Sequence, residues 1–236
     1  MMKIEIWSDV VCPFCYIGKR NLELALAQFP QRNQLEITWK SFVLDPHLPE
    51  TAEDSYADYL VKRKGLALEQ VNGMIAGITH TAKNVGLHFD FDHSVLVNSH
   101  KAHQLIQFAK TKMLGQQAEE VLFEAFFING QDTANTETLL QLGEKIGLDK
   151  TELRLVLENK SFSEAIEKDI DEARKIGVNG VPFFLINEKY AISGAQPPEV
   201  FLSTITKAFE EWQRENPTNS LEIIEGQSCS LDGNCQ

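Results

Sequence analysis

Apolar and polar residues along the first part of the chain follow the order strand, helix, strand. Lys3–Trp7 and Leu35–Phe42 have the apolar content of short strands, and Pro13–Phe29 between them has a helical pattern. The apolar side chains that share one face of this helix are Leu22, Leu26 and Phe29. Two strands joined by a helix predict a βαβ unit with parallel strands and a right-handed crossover.

The pattern becomes helical from about residue 55 to residue 176. Two apolar stripes with helical spacing consist of Ala102, Leu105, Ile106, Ala109 and Met113, and of Ala118, Val121, Leu122, Ala125 and Phe126. Asp149 with Glu152, and Ser161 with Glu164, have the spacing of helix N-terminal capping pairs. Gly147 and Gly177 stand where helices commonly end. We therefore predict a block of helices after the βαβ unit.

Strand patterns return after this block. Val181–Ile186 and Tyr190–Ser193, separated by a turn at Asn187 and Glu188, predict a hairpin. Pro197 and Pro198 then open a last amphipathic helix, whose buried face is predicted to carry Leu202, Ile205, Phe209 and Trp212. From Arg214 the chain is polar and poor in aromatic residues, which is typical of a mobile tail. The predicted order is βαβ, helical block, ββα.

The motif Cys12-Pro13-Phe14-Cys15 lies between the first strand and the first helix. A cysteine at the start of a helix is close to unpaired backbone N–H groups and to the positive end of the helix dipole, which favours its thiolate. Pro13 suits the first helical position, where the missing N–H costs nothing. The motif predicts a dithiol redox centre with Cys12 as nucleophile and Cys15 as resolving thiol.

Composition and charge narrow the classes of partner. No apolar run in the 236 residues approaches the length that spans a bilayer, so we expect no membrane partner. The formal net charge of −12 opposes binding to phosphate backbones, so we expect no nucleic-acid partner. We also expect no cofactor, because the thiols themselves carry the predicted chemistry.

The position of the motif bears on the cellular compartment. The chain reaches Cys12 so soon after Met1 that no signal peptide fits, which predicts a cytoplasmic protein. A signal peptide already removed from the chain is the alternative. In a reducing compartment structural disulfides are rare, so the four cysteines favour catalysis, redox sensing or metal binding.

The order of elements, together with two motifs, resembles the DsbA family and within it the FrnE-like branch. The motifs are Ser8 to Tyr16, which contains the CxxC, and Gly180 to Phe184; Tyr190 to Gln196 supports them. The resemblance implies an α/β, thioredoxin-like fold interrupted by an all-helical insertion. We predict a thioredoxin-like domain at 1–46 and 177–213, an inserted helical domain at 47–176, and a polar tail at 214–236.

The same resemblance implies an activity, thiol–disulfide exchange or isomerisation on protein or small-molecule disulfides. Cys12 and Cys15 are then catalytic, and Pro13, Phe14, Val181 and Pro182 support the site, with Val181–Pro182 in the cis form facing the CxxC. Phe14 stands where strongly oxidising DsbA proteins carry a histidine, which predicts a less oxidising centre. Glutathione or a thioredoxin-type protein is the expected electron donor.

Several residues near these motifs have two interpretations. Asp9 either accepts a proton from Cys12 or caps its loop. Tyr16, Phe14 and Phe183 either form an apolar rim for substrates or pack in the core. His100 and His103 share a helix face, which favours a packed or solvated surface over a metal site because no partner ligand is evident in the sequence.

A second cysteine pair, Cys229 and Cys235, lies at the end of the chain. Its spacing does not match a common redox motif, although Asp232 and Gly233 between the cysteines favour a turn. The pair is an auxiliary redox candidate; a zinc half-site, a partner hook and inert thiols are the alternatives. A zinc site shared with the CxxC is disfavoured by the wide spacing, so we expect no metal.

Two other classes of function remain open at this point. Kappa-type glutathione transferases and 2-hydroxychromene-2-carboxylate isomerases share the helical insertion, and Asn98-Ser99 resembles a segment of that group. They generally have serine where this chain has Cys12, which argues against them. The other class is a client-holding chaperone, whose activity would survive the loss of sulfur.

Overall fold

The computed structural model describes residues 1–51 and 54–217, and its sheet has four strands in the order β2-β1-β3-β4. The strands are β1 (Met2–Ser8), β2 (Leu35–Ser41), β3 (Phe183–Ile186) and β4 (Tyr190–Ser193). β1 pairs parallel with β2 and antiparallel with β3, and β3 pairs antiparallel with β4. The predicted βαβ unit and the predicted hairpin therefore share one sheet.

Helices account for most of the remaining described chain. α1 (Pro13–Ala27) lies between β1 and β2, and α9 (Pro198–Glu215) follows β4. Between β2 and β3 lie α2 (Tyr56–Lys64), α3 (Leu68–Asn84), α4 (His100–Thr111), α5 (Gly115–Phe127), α6 (Thr136–Lys145), α7 (Lys150–Asn159) and α8 (Ser163–Lys175). In the described part of the chain, no helix is long and apolar enough to cross a bilayer. The mixed α/β fold with a helical insertion is confirmed, whereas the domain boundaries stay a prediction.

The buried apolar residues form two main clusters that meet at α1. One cluster fills the space between the sheet, α1 and α9, and includes Ile4, Ile6, Phe184, Phe201 and Ile205. The larger cluster joins the inserted helices to the first turns of α1, and it contains both Cys12 and Cys15. The CxxC therefore lies where the sheet layer meets the inserted helices.

Most of the predicted helix signals are confirmed, with two corrections. Asp149 caps α7 by accepting a hydrogen bond from Glu152 N, and Gly147 and Gly177 follow helix ends with positive φ. Ser161 is not the cap of α8, because the chain forms a turn there and the helix starts two residues later, at Ser163. Met113 leaves the stripe predicted for α4, since the helix ends at Thr111 and Met113 is 91% exposed with a positive φ.

A buried carboxylate joins the sheet to the inserted helices. Asp169 of α8 accepts hydrogen bonds from Ser41 N of β2 at 2.9 Å and from Gln107 Nε2 of α4 at 2.6 Å. The Lys40 ammonium lies 3.7 Å from the same carboxylate, and the Trp7 indole donates to the Asp169 backbone carbonyl. Asp169 thus connects three elements through one side chain.

Candidate active site

Cys12 is the N-cap residue of α1 and has an extended backbone. Pro13 occupies the first helical position, as predicted. Cys12 N donates to Asp9 O at 3.0 Å, and Cys15 N donates to Cys12 O at 3.0 Å, so both thiols belong to the first turn. The Cys12 side chain makes no capping hydrogen bond. The first-turn N–H groups and the helix dipole therefore act on a sulfur that is not engaged in capping.

The two thiols have different surroundings. Cys12 is 5% exposed and Cys15 is fully buried, and they are not joined by a disulfide. Burial raises the pKa of Cys15 well above its usual value, and the neighbouring Cys12 raises it further. The backbone of Asp9 and the side chain of Ser8 lower the same pKa to a lesser extent. The deeper thiol therefore needs to lose a proton before it can attack.

The second motif lies against the first. Val181–Pro182 is a cis peptide bond, which confirms the prediction, and Cys12 Sγ donates to Val181 O at 3.5 Å. The Pro182 carbonyl accepts a hydrogen bond from Gly194 N at 2.8 Å, which ties this loop to the end of β4. The fold brings Cys12 and Val181 together across 169 positions of sequence.

Gly18 lets α1 approach the proline loop closely. A Cβ at this position would lie 3.1 Å from Pro182 Cγ and 3.2 Å from Phe184 Cζ, tighter than ordinary van der Waals contact. Phe184 is fully buried in the sheet and has little room to move. An added methyl group would therefore displace Pro182, which lies beside Cys12.

Gly18→Ala is expected to destabilise the fold by about 1–3 kcal/mol, because overpacking a tight core forces its neighbours to shift. We also expect slower thiol–disulfide exchange, because the displaced loop carries Val181. Urea denaturation and a turnover assay measure the two effects. Gly77→Ala is the matched control: a Cβ there would meet no described atom within 4 Å, and alanine in a helix interior should stabilise by about 0.5–1 kcal/mol. Equal behaviour of the two variants would contradict the close-approach argument.

Aromatic residues around the motif divide between surface and core. Phe14 is 42% exposed and Phe183 is partly buried, whereas Tyr16 is 1% exposed and stacks on Phe123 with ring centroids 4.9 Å apart. Tyr16 is therefore a core residue, which settles its two interpretations. Tyr56 of α2, 7% exposed, packs in the same cluster as both cysteines, and burial together with nearby Cys12 raises its pKa.

Asp9 is fully buried beside the CxxC. One carboxylate oxygen accepts from Leu44 N at 2.7 Å and the other from Val11 N at 3.4 Å, which confirms the interpretation as a loop cap. His103 Nε2 lies 3.5 Å from the second oxygen. No sequence pattern indicated this contact, and it corrects the expectation that no carboxylate is available to His103.

Glu119 of α5 completes a buried group of titratable residues. It is 1% exposed, and burial raises its pKa to about 7. The nearby His103 and Lys19 lower this pKa, whereas Asp9 raises it. The available sequence signal was a polar residue adjoining each apolar stripe, His103 after Ala102 and Glu119 after Ala118.

Glu119→Gln is expected to stabilise the protein at pH 8 by about 3 kcal/mol, because glutamine replaces a carboxylate that is costly to ionise. The folded pKa near 7 exceeds the usual 4.5, so wild-type stability falls as the pH rises from 4.5 to 7. Below pH 4.5 both states are protonated and the two proteins should be equally stable. Urea denaturation at several pH values tests this, with exposed Glu158→Gln as control. A gap that does not grow with pH would refute it.

Other predicted positions fall outside this site. His100 is partly buried, and burial together with the charges of His103 and Lys160 lowers its pKa. Among the described residues, no group of three or more His, Cys, Asp or Glu side chains has a geometry that could hold a metal ion. Cys229 and Cys235 lie outside the described residues, so their auxiliary role stays a prediction.

The similarity of this chain to known proteins covers nearly its whole length. The DsbA-like thioredoxin domain family matches residues 3–206. The probable DsbA oxidoreductase SCO1869 from Streptomyces coelicolor is 31% identical, with a TM-score of 0.84 over 100% of this chain and 99% of that one. The uncharacterized protein YwbO from Bacillus subtilis is 26% identical over 86% of this chain and 95% of its own.

A more distant similarity concerns the fold alone. The cytosolic disulfide reductase DsbM from Pseudomonas aeruginosa, in its structure with GSH, is 13% identical, with a TM-score of 0.64 over 88% of this chain and 99% of that one. The family match covers well over half of the chain, and its CxxC and cis-proline loop lie together at the start of α1. The chain therefore belongs to the DsbA-like family of thioredoxin-domain thiol–disulfide oxidoreductases.

Proposed function

We propose that this protein catalyses thiol–disulfide exchange through the Cys12-Pro13-Phe14-Cys15 centre, with Cys12 attacking and Cys15 resolving. The observation that supports this most directly is the contact of Cys12 Sγ with the Val181 carbonyl, 3.5 Å away, beside Pro182. The sulfur at the start of α1 is the outer of the two, and Cys15 is completely buried. A substrate disulfide therefore meets Cys12 first.

The exchange proceeds in two steps. The Cys12 thiolate attacks one sulfur of the substrate disulfide, and the other substrate sulfur leaves as a thiolate. Cys15 then loses its proton and attacks Cys12 sulfur; the mixed disulfide breaks, and the second substrate sulfur leaves. The enzyme ends with a Cys12–Cys15 disulfide, and a dithiol donor restores it by the reverse route. Two electrons pass from the enzyme thiols to the substrate.

The proline loop supports the binding of extended segments. Val181 presents its backbone next to the reactive sulfur, and Pro182 has no N–H to compete with it. Phe14, 42% exposed, offers an apolar contact at the same end of α1. We propose that disulfide-containing proteins are the substrates, and that the protein reduces or isomerises their disulfides in the cytoplasm. Within the family, we propose that it belongs to the FrnE-like branch.

Glutathione is the small-thiol partner that we propose, alongside a thioredoxin-type protein. The similar fold of DsbM, a cytosolic disulfide reductase whose structure was solved with GSH, supports this choice. Asn98 itself is committed to structure: its side chain donates to the Pro46 and Leu48 carbonyls and accepts from His100 N. In this chain the Asn98 side chain of the Asn98-Ser99 segment therefore anchors a loop, so the resemblance of this segment to glutathione enzymes is not itself support for glutathione binding.

Reduction of insulin by dithiothreitol tests the proposal. The intact protein should shorten the lag before the insulin chains precipitate, and the same protein with its thiols blocked by iodoacetamide should not. A Cys229→Ser/Cys235→Ser variant separates the tail from the CxxC: unchanged activity would leave catalysis with the CxxC alone, and lost activity would make the tail pair a relay. No acceleration by the intact protein would overturn the reductase proposal.

Phe14 favours one second candidate, a client-holding activity. Its exposed ring beside the site is a contact that an unfolded chain would use. Holding needs no sulfur, so it would persist in protein whose cysteines are replaced. A kappa-type transferase reaction has less support, because Cys12 stands where those enzymes generally have serine.

A further inference from the structure

Two titratable side chains from the inserted helices are buried with polar atoms that have no hydrogen-bond partner in the described part of the chain. His103 is fully buried, and neither of its ring nitrogens has a hydrogen-bond partner among the described residues. Glu119 is 1% exposed, and its Oε2 is likewise without a partner within that part of the chain. A buried polar group that lacks a partner costs about 1–3 kcal/mol. Two such groups together are costly for a purely structural role.

These groups meet the CxxC loop through Asp9. His103 Nε2 lies 3.5 Å from the Asp9 carboxylate, and Asp9 O accepts the hydrogen bond from Cys12 N at 3.0 Å. The Asp9 backbone and the Ser8 side chain also lower the pKa of Cys15 by hydrogen bonding. The groups whose charges act on the pKa of Glu119 come from α1, α4 and the loop before α1: His103, Lys19 and Lys110 lower it, and Asp9 raises it.

Charge balance constrains the resolving step. Ionisation of Cys15 would add a negative charge to an interior that already contains Asp9 and Glu119. A further buried negative charge without compensation is strongly unfavourable. Uptake of a proton by the nearby groups at the moment that Cys15 loses one keeps the buried charge constant.

We propose that His103 and Glu119, acting through Asp9, are positioning residues that take up a proton as Cys15 becomes the attacking thiolate. The inference rests on the proposed thiol–disulfide exchange and extends it to the inserted helices. The S–H bond of Cys15 breaks, the Cys15–Cys12 S–S bond forms, and the Cys12–substrate S–S bond breaks. The electron pair of that last bond leaves with the substrate sulfur, and one proton stays on the Asp9–His103–Glu119 group.

Ellman's reagent separates the two steps in the full-length protein. A Cys229→Ser/Cys235→Ser background leaves only Cys12 and Cys15. Attack by Cys12 releases one thionitrobenzoate, and attack by Cys15 on the resulting mixed disulfide releases a second. Stopped-flow absorbance gives the rate of each release between pH 5 and pH 9. In the parent protein the second rate should rise around pH 7, where Glu119 titrates.

His103→Gln and Glu119→Gln remove the two proposed proton-accepting side chains and keep similar shapes. We expect the second release at pH 7 to slow by about tenfold or more in each, with its pH dependence shifted upward, while the first release changes much less. Glu119→Gln should be slower although it is more stable at pH 8. A structural role would not produce that combination.

Ile205→Ala is the structural control. Ile205 is fully buried on α9, in the cluster beneath the sheet and not in the one that contains the two cysteines, so the variant should lose stability without a shift in the pH dependence of the second release. Wild-type pH dependence in both glutamine variants, or the same shift in Ile205→Ala, would overturn the inference. A parent protein that releases no second thionitrobenzoate would instead overturn the resolving role of Cys15, which belongs to the proposed function.

Discussion

Cys12→Ser is expected to reduce insulin-disulfide reduction to the rate of dithiothreitol alone. The serine hydroxyl cannot attack a disulfide sulfur, and Cys15 is fully buried, so no second thiol of the CxxC is available to substrate. Cys15→Ser is expected to behave differently, because attack by Cys12 remains while intramolecular release is lost. Mixed disulfides should then persist about 100-fold longer or more, since the resolving thiol is normally held beside the bond that it breaks.

Non-reducing gel electrophoresis after acid quenching measures the trapped species, and the insulin assay measures turnover. Cys12→Ser/Cys15→Ser is the control for adducts formed elsewhere on the chain. Equal trapping by Cys12→Ser and Cys15→Ser would contradict the assigned order of attack. If Cys12→Ser still suppressed aggregation of an unfolded client as well as wild type did, the holding activity would be supported as a separate property.

The parts of the site that were predictable from sequence are local or tied to a motif. Cys12 and Pro13 occupy the N-cap and first positions of α1 because four consecutive residues favour one backbone conformation. The cis form of Val181–Pro182 followed from the resemblance of two motifs taken together. Asn187 and Glu188 both have positive φ at the predicted turn between β3 and β4.

The parts that were not predictable depend on how distant elements pack. The Asp9–His103–Glu119 group requires α4 and α5 to lie against the loop before α1, and no spacing rule relates these positions. Helix ends also depended on local competition: Ser161 fits a capping pattern, yet its N–H donates to Val156 O and completes the end of α7 instead. Periodicity identified the stripes, and tertiary contacts decided which polar neighbours became buried.

The inserted helices explain why the CxxC is so deeply placed. Cys12 and Cys15 pack in the cluster that includes Tyr56 of α2 and Leu105 of α4, rather than in the cluster beneath the sheet. In the described structure the insertion therefore supplies part of the wall around the dithiol. Changes that loosen the sheet from these helices should disturb both stability and the site. Asp169, which bonds to both β2 and α4, is a position where this can be tested.

Asp169→Ala is expected to destabilise the protein by about 3–5 kcal/mol, because it removes one partner from a buried charged network. Ser41 N would lose its acceptor, and Gln107 Nε2 would keep only the Ser41 hydroxyl. Lys40 and Lys110 would lose a counter-charge 3.7 and 3.5 Å away. Asp169→Asn keeps an acceptor oxygen and should cost less, about 1–3 kcal/mol. Urea denaturation compares them with Asp171→Ala on the same helix, whose exposed ion pair with Arg174 should matter by less than about 1 kcal/mol. If Asp169→Ala cost no more than Asp171→Ala, the sheet and the insertion would be joined by apolar packing alone. We expect instead a large difference in stability, together with slower insulin reduction by Asp169→Ala at a temperature where it stays folded. That result would tie this carboxylate to the placement of the inserted helices over Cys15.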